Sequence, residues 1–288
     1  MVIKKKDIVA LSENIRKIID GQDVDLRDNR EGPLSILKND IHTLASMKRE
    51  QVDILEDETA LMRSTMENIS HQLKTPLTSM LIMADLLEDA PKDKQAEFLS
   101  NIKRELLHVD WLVSTLLKMA KLDANAVFFT LEDVTANTLL EQALEPLQIL
   151  REVREQHIEL SGNLALIFHC DIPWTKEALT NVIKNAMEHS PPQSIIRIVV
   201  DENPICKWIA ITDSGEGIPR TKIKSLFRRF SGERSKKGYG IGLPLALAIM
   251  HGLGGDIEVN GGGNGRGATF VLKFYRMLTD PIDKSRGF

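Results

Sequence analysis

Met62, Met66, Ile69, Leu73, Pro76, Met80, Met83 and Leu87 follow one another at steps of 4, 3, 4, 3, 4, 3 and 4 residues. Apolar residues at that alternation fall on one stripe of an α-helix, and the stripe must be buried against other helices. Pro76 is its only interruption. A turn at Ala90-Pro91-Lys92-Asp93 follows, and Phe98, Ile102, Val109, Leu112, Leu116 and Met119 form a second stripe, missing only at Glu105. Two long helices joined by a short turn make an antiparallel hairpin. Stripes of this length need a second copy to cover them, so a dimeric four-helix bundle is expected.

Upstream, Ile8, Leu11, Ile15 and Ile18 show the same spacing, as do Leu34, Leu37, Ile41 and Leu44 after a polar break from Gly21 to Gly32. Two such helices form either a signal-relay module or a plain coiled-coil extension. No glycine lies between Gly32 and Gly162, whereas 16 of the 18 fall from Gly162 onward, which places the main boundary near residues 123–128. Beyond it the pattern predicts strands at Val127–Leu131, His157–Leu160, Ala165–Cys170, Ile195–Asp201, Cys206–Asp213, Asp256–Val259 and Ala268–Phe274. Helices are predicted at Thr138–Arg151, Thr175–Glu188 and Leu243–Met250. Helices gathered with a mostly antiparallel sheet give an α/β sandwich, so the chain is multidomain, a helical bundle followed by that sandwich.

Several function classes fall away on composition. A net charge of −4 provides no field for nucleic acid or anionic lipid. Cys170 and Cys206, far apart and without CxxC spacing, exclude a zinc knuckle or disulfide framework and suit a reducing compartment. The richest apolar window, Met80 to Leu87, contains Asp85 and is far short of a membrane helix. Lys4, Lys5 and Lys6 are followed by no apolar stretch of the kind a signal peptide carries. The chain is expected to be soluble and cytoplasmic, either free or as the cytoplasmic part of a membrane-anchored protein.

His71, between the seam residues Ile69 and Leu73, points away from the bundle axis. A surface histidine there is the bland reading, but Pro76 breaks the helix rule five residues on, and broken local rules gather at functional sites. Asp213-Ser214-Gly215-Glu216-Gly217-Ile218-Pro219 closes a strand, where glycines admit close backbone approach and a carboxylate can accept from an exocyclic amine. Gly238-Tyr239-Gly240-Ile241-Gly242 then opens a helix at Leu243, a phosphate site of free N–H groups and helix dipole. No P-loop, Rossmann fingerprint or ordinary protein-kinase string is present. Asn181 and Asn185 share a helix face opposite Leu179, Val182, Ile183 and Ala186. They are either solvated or oxygen ligands for magnesium.

Taken in order, these motifs resemble the sensor histidine kinases of two-component signalling over residues 55–275. SHQLKTP resembles the family's H box, TNVIKNAMEHS its N box, DSGEGIP and GYGIGLPLA its glycine boxes, LFRRF its F box, and Gly265 to Phe270 its last strand motif. The resemblance implies a helical relay at 1–50, similar to a HAMP relay but lacking its first-helix proline. It then implies a dimerisation and histidine-phosphotransfer hairpin at 51–122, an ATP-binding domain of the Bergerat (GHKL) fold at 123–276, and a tail at 277–288. By the same resemblance His71 is the phosphoacceptor, Asp213 binds the adenine amine, and Asn185 coordinates Mg2+ with Asn181 beside it. Gly215 and Gly217 shape the pocket, Thr269 backs the adenine, His189 stacks on it, and Gly238, Gly240, Gly242 and Leu243 close a lid running from Ile218. Phe227 and Phe230 hold that lid, while Arg234, Lys236 and Lys237 reach the triphosphate or are merely solvated. The implied substrates and partners are ATP with Mg2+, a second copy of the chain, and a response-regulator receiver domain.

Two departures matter. The residue after His71 is Gln72, where the family usually has an acid; an amide can fix the imidazole tautomer but cannot take a proton. Slow autophosphorylation is therefore expected, with Gln72 and Thr75 placed to favour a phosphatase reaction. Glu188 stands where many members have lysine, and it repels a triphosphate unless turned away. The alternatives are a hydrolytic Bergerat-fold ATPase, disfavoured because Asn181 occupies the position of that group's catalytic glutamate, and a kinase-impaired phosphatase or scaffold that only binds nucleotide.

Overall fold

A computed structural model describes residues 5–20, 22, 24–26, 32–88, 91–229, 240–262 and 267–275. The expectations for Phe230, Arg234, Lys236, Lys237, Gly238, Gly265, Arg266 and the tail 277–288 lie outside the described residues. The chain divides into two compact units, 1–70 and 71–288.

In the first unit, helix α1 (Lys5–Ile19) and the start of helix α2 (Pro33–Glu88) carry the stripes read from sequence. Leu11, Leu26 and Ser35 are buried, and the Arg49 guanidinium donates to the Gln22 carbonyl at 2.9 Å, tying the polar connector back to α2. Proline is tolerated at Pro33, the first position of α2, because that N–H would have no helical partner. Instead of stopping and restarting, α2 runs without a break through the segment between the two predicted stripes and on through Pro76.

The second unit holds the end of α2, helix α3 (Lys92–Asp123) and the mixed domain. A short antiparallel pair joins β1 (Glu132–Thr135) to β3 (Ile167–Cys170). The main sheet has β2 (His157–Gly162), β4 (Ile195–Glu202), β5 (Cys206–Thr212), β7 (Thr269–Tyr275) and β6 (Asp256–Asn260) side by side in that order. Only β2 and β4 are parallel, and their crossover contains helix α6 (Ile172–His189). Strand period explains which residues go in: Ile196, Ile198 and Val200 of β4, Ile209 and Ile211 of β5, and Phe270 and Leu272 of β7 are fully buried. Against them lie Leu179, Val182, Ile183 and Ala186 of α6 and Leu245, Ala246 and Ile249 of helix α8 (Gly242–Gly252). Each large aliphatic side chain contributes about 1.5–3 kcal/mol by leaving water. The result is a helical region followed by an α/β sandwich, as the sequence implied.

The same core takes in Leu112 and Met119 of α3, with Leu73, Trp111, Leu116 and Leu122 half-buried against it. Polar ties reinforce the contact. Lys118 pairs with Glu177 at 2.8 Å, Lys184 lies 5.4 Å over the Trp111 ring, and Arg229 meets Asp123 at 2.5 Å.

Two predicted elements are corrected and one helix is added. Val127–Leu131 is not a strand; the first ladder begins at Glu132, and the Thr130 N–H donates to the Asp171 carboxylate at 2.8 Å instead. The helix predicted over Thr138–Arg151 is split into α4 (Ala136–Leu144), a 3-10 turn at Glu145–Leu147 and α5 (Gln148–Val153), because Pro146 lacks the N–H that a continuous helix requires. A short helix α7 (Arg220–Leu226) follows Pro219 inside the expected lid, where none was predicted.

Candidate functional site

Helix α6 is fixed at both ends. The Asp171 carboxylate caps its start, accepting from the Trp174 N–H at 3.1 Å, and Pro191 and Pro192 lie just beyond its end. Its apolar face enters the core, which leaves Asn181 and Asn185 on the opposite face one turn apart. The Asn181 amide nitrogen donates to the Glu177 carbonyl at 2.9 Å, so its oxygen turns toward the start of α8. There it meets Gly242 so closely that a Cβ on that residue would stand 2.8 Å away. Asn185 is half-buried and its amide makes no hydrogen bond with the described residues. Its oxygen is a hard, neutral donor of the kind magnesium accepts, and no cluster of three acidic, histidine or cysteine side chains among the described residues offers a competing site. Glu188 reaches back to Lys184 at 3.8 Å, which offsets part of its charge.

Asp213 stands at the end of β5, 6 % exposed. One carboxylate oxygen, Oδ1, accepts the N–H of Gly215 at 2.8 Å and of Ala268 at 3.0 Å. Its backbone N–H donates to the Ala268 carbonyl at 2.9 Å, so strand β7's lead-in and the 213–217 loop hold the carboxyl from both sides. Oδ2 has no partner among the described residues and is left to accept from a ligand. Behind it the Thr212 and Thr269 hydroxyls lie 2.9 Å apart. Gly267 is required: it has φ +71, and a Cβ there would collide with the Asp213 carbonyl at 2.0 Å. In the sequence Gly267 stands within the Gly265 to Phe270 strand motif, without a role of its own.

Gly215 packs against the His189 carbonyl, 2.6 Å from where its Cβ would be, and the Ser190 hydroxyl accepts the Ser214 N–H at 3.0 Å. The structure thus brings Asn181 to Gly242, and the end of α6 at His189 and Ser190 to Gly215 and Ser214. His189's side chain is exposed, Gly240 and Gly217 have φ +66 and +81, and Leu243 is buried at the head of α8. Ser190, Arg154 and Gln156 went unnoticed as separate sites in the sequence. The first stood inside the N-box string; the other two carry no local signal, because their partners lie more than thirty residues away.

His71 is exposed on α2, with Gln72 half-buried and Thr75 exposed one turn on. The Thr75 hydroxyl donates to the His71 carbonyl at 3.1 Å. No hydrogen bond or ion pair among the described residues links these three to the α6 and β5 residues. On α3, His108 stacks on Trp111 with centroids 6.0 Å apart. Burial lowers its pKa below the ordinary value and Lys184 adds to that, while Glu105 opposes.

Comparison with known proteins gives two family matches. Residues 61–125 match the His Kinase A (phospho-acceptor) domain, and residues 170–277 match the histidine kinase-, DNA gyrase B- and HSP90-like ATPase domain. Sensor histidine kinase WalK of Bacillus subtilis is 29% identical over 237 residues, 77% of this chain and 38% of that protein. The chain spans half or less of the length of the first curated relatives it matches. Among solved structures, Acinetobacter baumannii histidine kinase AdeS gives a TM-score of 0.61 at 20% identity, covering 71% of this chain and 97% of that one. Histidine kinase ThkA in complex with response regulator protein TrrA gives 0.60 at 18% identity, covering 80% and 64%. These two likenesses concern the fold.

Proposed function

The chain belongs to the two-component sensor histidine kinases, and on that premise we propose that it transfers the γ-phosphoryl group of ATP to His71 and from there to an aspartate of a response-regulator receiver domain. The observation that carries this reading is the buried Asp213 carboxylate, pinned through Oδ1 by two backbone N–H groups so that Oδ2, without a partner among the described residues, remains for an adenine amine. In the same chain, an exposed imidazole at 71 lies within the phospho-acceptor match.

We divide the labour as relay (1–50), phosphotransfer hairpin (51–122), ATP-binding domain (123–276) and tail (277–288). Asp213 and Thr269 select the base, and the start of α8 at Gly242 offers N–H groups and dipole to the phosphates. The Asn185 oxygen fits a magnesium ion, and Asn181 keeps the turn before it in register by its bond to Glu177. When bound, magnesium supplies charge neutralisation at the phosphate oxygens, which is most of what phosphoryl transfer requires. One His71 ring nitrogen attacks the γ-phosphorus in line as the bond to the β-γ bridging oxygen breaks and ADP leaves. Gln72 can orient the other ring nitrogen but cannot take its proton, so solvent must, and the step is slow. Lys237 and Gly238 are carried as phosphate contacts on the resemblance alone. Leu112 and Met119 of the α3 stripe are taken up by the chain's own core, so the homodimer is read through the exposed apolar residues of α2 and α3, among them Leu77, Leu81, Leu106 and Leu117. No helix among the described residues is long and apolar enough to cross a membrane. We place the chain in the cytoplasm, on its own or as part of a membrane-anchored sensor.

A second reading, dephosphorylation of the receiver, is favoured by Gln72 and Thr75. The Thr75 hydroxyl gives its proton to the His71 carbonyl, so it can only accept from a water, and Gln72 supplies the complementary amide. Hydrolytic ATPase chemistry is disfavoured: Asn181 is no base, and the Glu177 carboxylate is occupied by Lys118. The test is incubation with γ-labelled ATP and Mg2+. Acid-labile, alkali-stable label that His71→Ala abolishes supports the kinase reading; acid-stable label, or label that survives the substitution, refutes it.

A further inference from the structure

We propose that Arg154 and Gln156 are positioning residues for the adenine end of the nucleotide site, an inference that rests on the ATP reading above. Neither residue lies within the matched ATPase segment, and neither touches Asp213. Both hold the end of α6, whose last residues meet Ser214 and Gly215, the neighbours of Asp213. The last carbonyls of any helix lack intrahelical donors, and α6 ends at Ser190 with extended backbone and no glycine cap. The Arg154 guanidinium supplies what is missing, donating to the Ser190 carbonyl at 2.6 Å and the Glu188 carbonyl at 3.4 Å. As a cation at a helix C-terminus it also complements the helix dipole. Gln156, 3 % exposed, aims its amide nitrogen at the Met187 carbonyl at 3.0 Å and the Pro191 carbonyl at 2.9 Å.

From that capped end the path to the base site is short. The Ser190 hydroxyl donates to the Ala186 carbonyl at 2.8 Å and accepts the Ser214 N–H at 3.0 Å. Ser214 is the neighbour of Asp213, and its own hydroxyl donates to the Ile195 carbonyl at 2.6 Å. Gly215, which supplies one of the two N–H groups on the Asp213 carboxylate, rests on the His189 carbonyl. A shift of the α6 end therefore moves both the loop that carries the carboxylate and the donor that aims it. Asn181, about two and a half turns back along α6, is held by its bond to the Glu177 carbonyl, and Asn185, about one and a half turns back, sits on a helix whose opposite face is locked in the core. The effect should fall on base recognition and spare the phosphate end.

The test compares binding of ATP and of inosine triphosphate, which lacks the exocyclic amine, by displacement of a fluorescent nucleotide from the full chain. Thermal unfolding is followed in parallel. The wild-type chain is expected to prefer ATP. Arg154→Ala and Gln156→Met are expected to weaken ATP about tenfold and inosine triphosphate less than about threefold, the loss of one well-placed hydrogen bond to the base. Arg154→Lys, which keeps the charge and a donor, should restore most of the preference. An ATP to inosine triphosphate ratio unchanged within about twofold in folded variants overturns the proposal, since a merely structural role weakens both nucleotides together. If Arg154→Ala does not fold, Gln156→Met decides; failure of both to fold assigns the pair to the fold and likewise overturns it. A wild-type chain that binds ATP without preferring it overturns this inference alone, whereas one that binds neither nucleotide overturns the ATP reading and this inference with it.

Discussion

Asp213→Asn separates the two jobs of one carboxyl group. Oδ1 holds the N–H groups of Gly215 and Ala268 at 2.8 and 3.0 Å, while Oδ2, without a partner among the described residues, is the oxygen proposed to accept from the adenine amine. An asparagine satisfies both backbone donors by turning its carbonyl oxygen to the Oδ1 position, so the fold should lose no more than about 1 kcal/mol. Its NH2 then occupies the Oδ2 position and presents donors to a donor. The charge-assisted bond to the adenine amine is lost, about 1.5–3 kcal/mol, or roughly a 10- to 150-fold weaker Kd for ATP. Asp213→Ala, by contrast, orphans two buried N–H groups at about 1–3 kcal/mol each and should unfold the loop as well. Calorimetric titration of ATP into Asp213→Asn, with its Tm recorded beside the wild type, tells these apart. A folded Asp213→Asn that binds ATP within about twofold of the wild type refutes the reasoning, because Oδ2 would then not be the base acceptor.

Other expectations follow from single contacts. Gly242→Ala should cost little stability but weaken nucleotide binding severalfold, because its Cβ, 2.8 Å from Asn181 Oδ1, must swing that amide off Glu177; unchanged ATP affinity counts against the coupling. His108 has its pKa lowered chiefly by burial, with Lys184 adding and Glu105 opposing, so the unfolded chain takes up the proton first. Stability should then fall as pH drops below the ordinary histidine value near 6.5 and stop falling below the folded value. Tm measured from about pH 8 to pH 5 should show that slope, and His108→Gln should flatten it. Gln72→Glu should raise the initial rate of His71 labelling at least about tenfold by restoring a proton acceptor, read as label incorporated per minute.

Much of this architecture was legible because it rests on local periodicity. The 3.5-residue stripes gave α2 and α3, and strand alternation gave β4, β5 and β7. What failed did so for tertiary reasons. Val127, Phe129 and Leu131 alternate like a strand, yet the alternation marks an anchor: Phe129 packs edge-on against Trp174 at 6.0 Å and beneath Gly252, while Phe128 is 96 % exposed. The motif strings located Asp213 and the two asparagines. They could not show which carboxylate oxygen is spoken for, since Ala268 comes from 55 residues further on. Arg154 and Gln156 were illegible for the same reason: a C-cap supplied from a distant segment leaves no pattern around either partner.

The proposed function puts an ATP site and the imidazole that accepts from it in one chain. Its most direct test is site mapping by tandem mass spectrometry, under alkaline conditions that preserve phosphoramidates, after exposure of the chain to ATP and Mg2+. A phosphoryl group localised to His71 is the predicted result. Localisation to any other residue, or none on a chain that demonstrably binds ATP and carries glutamate in place of Gln72, contradicts the account.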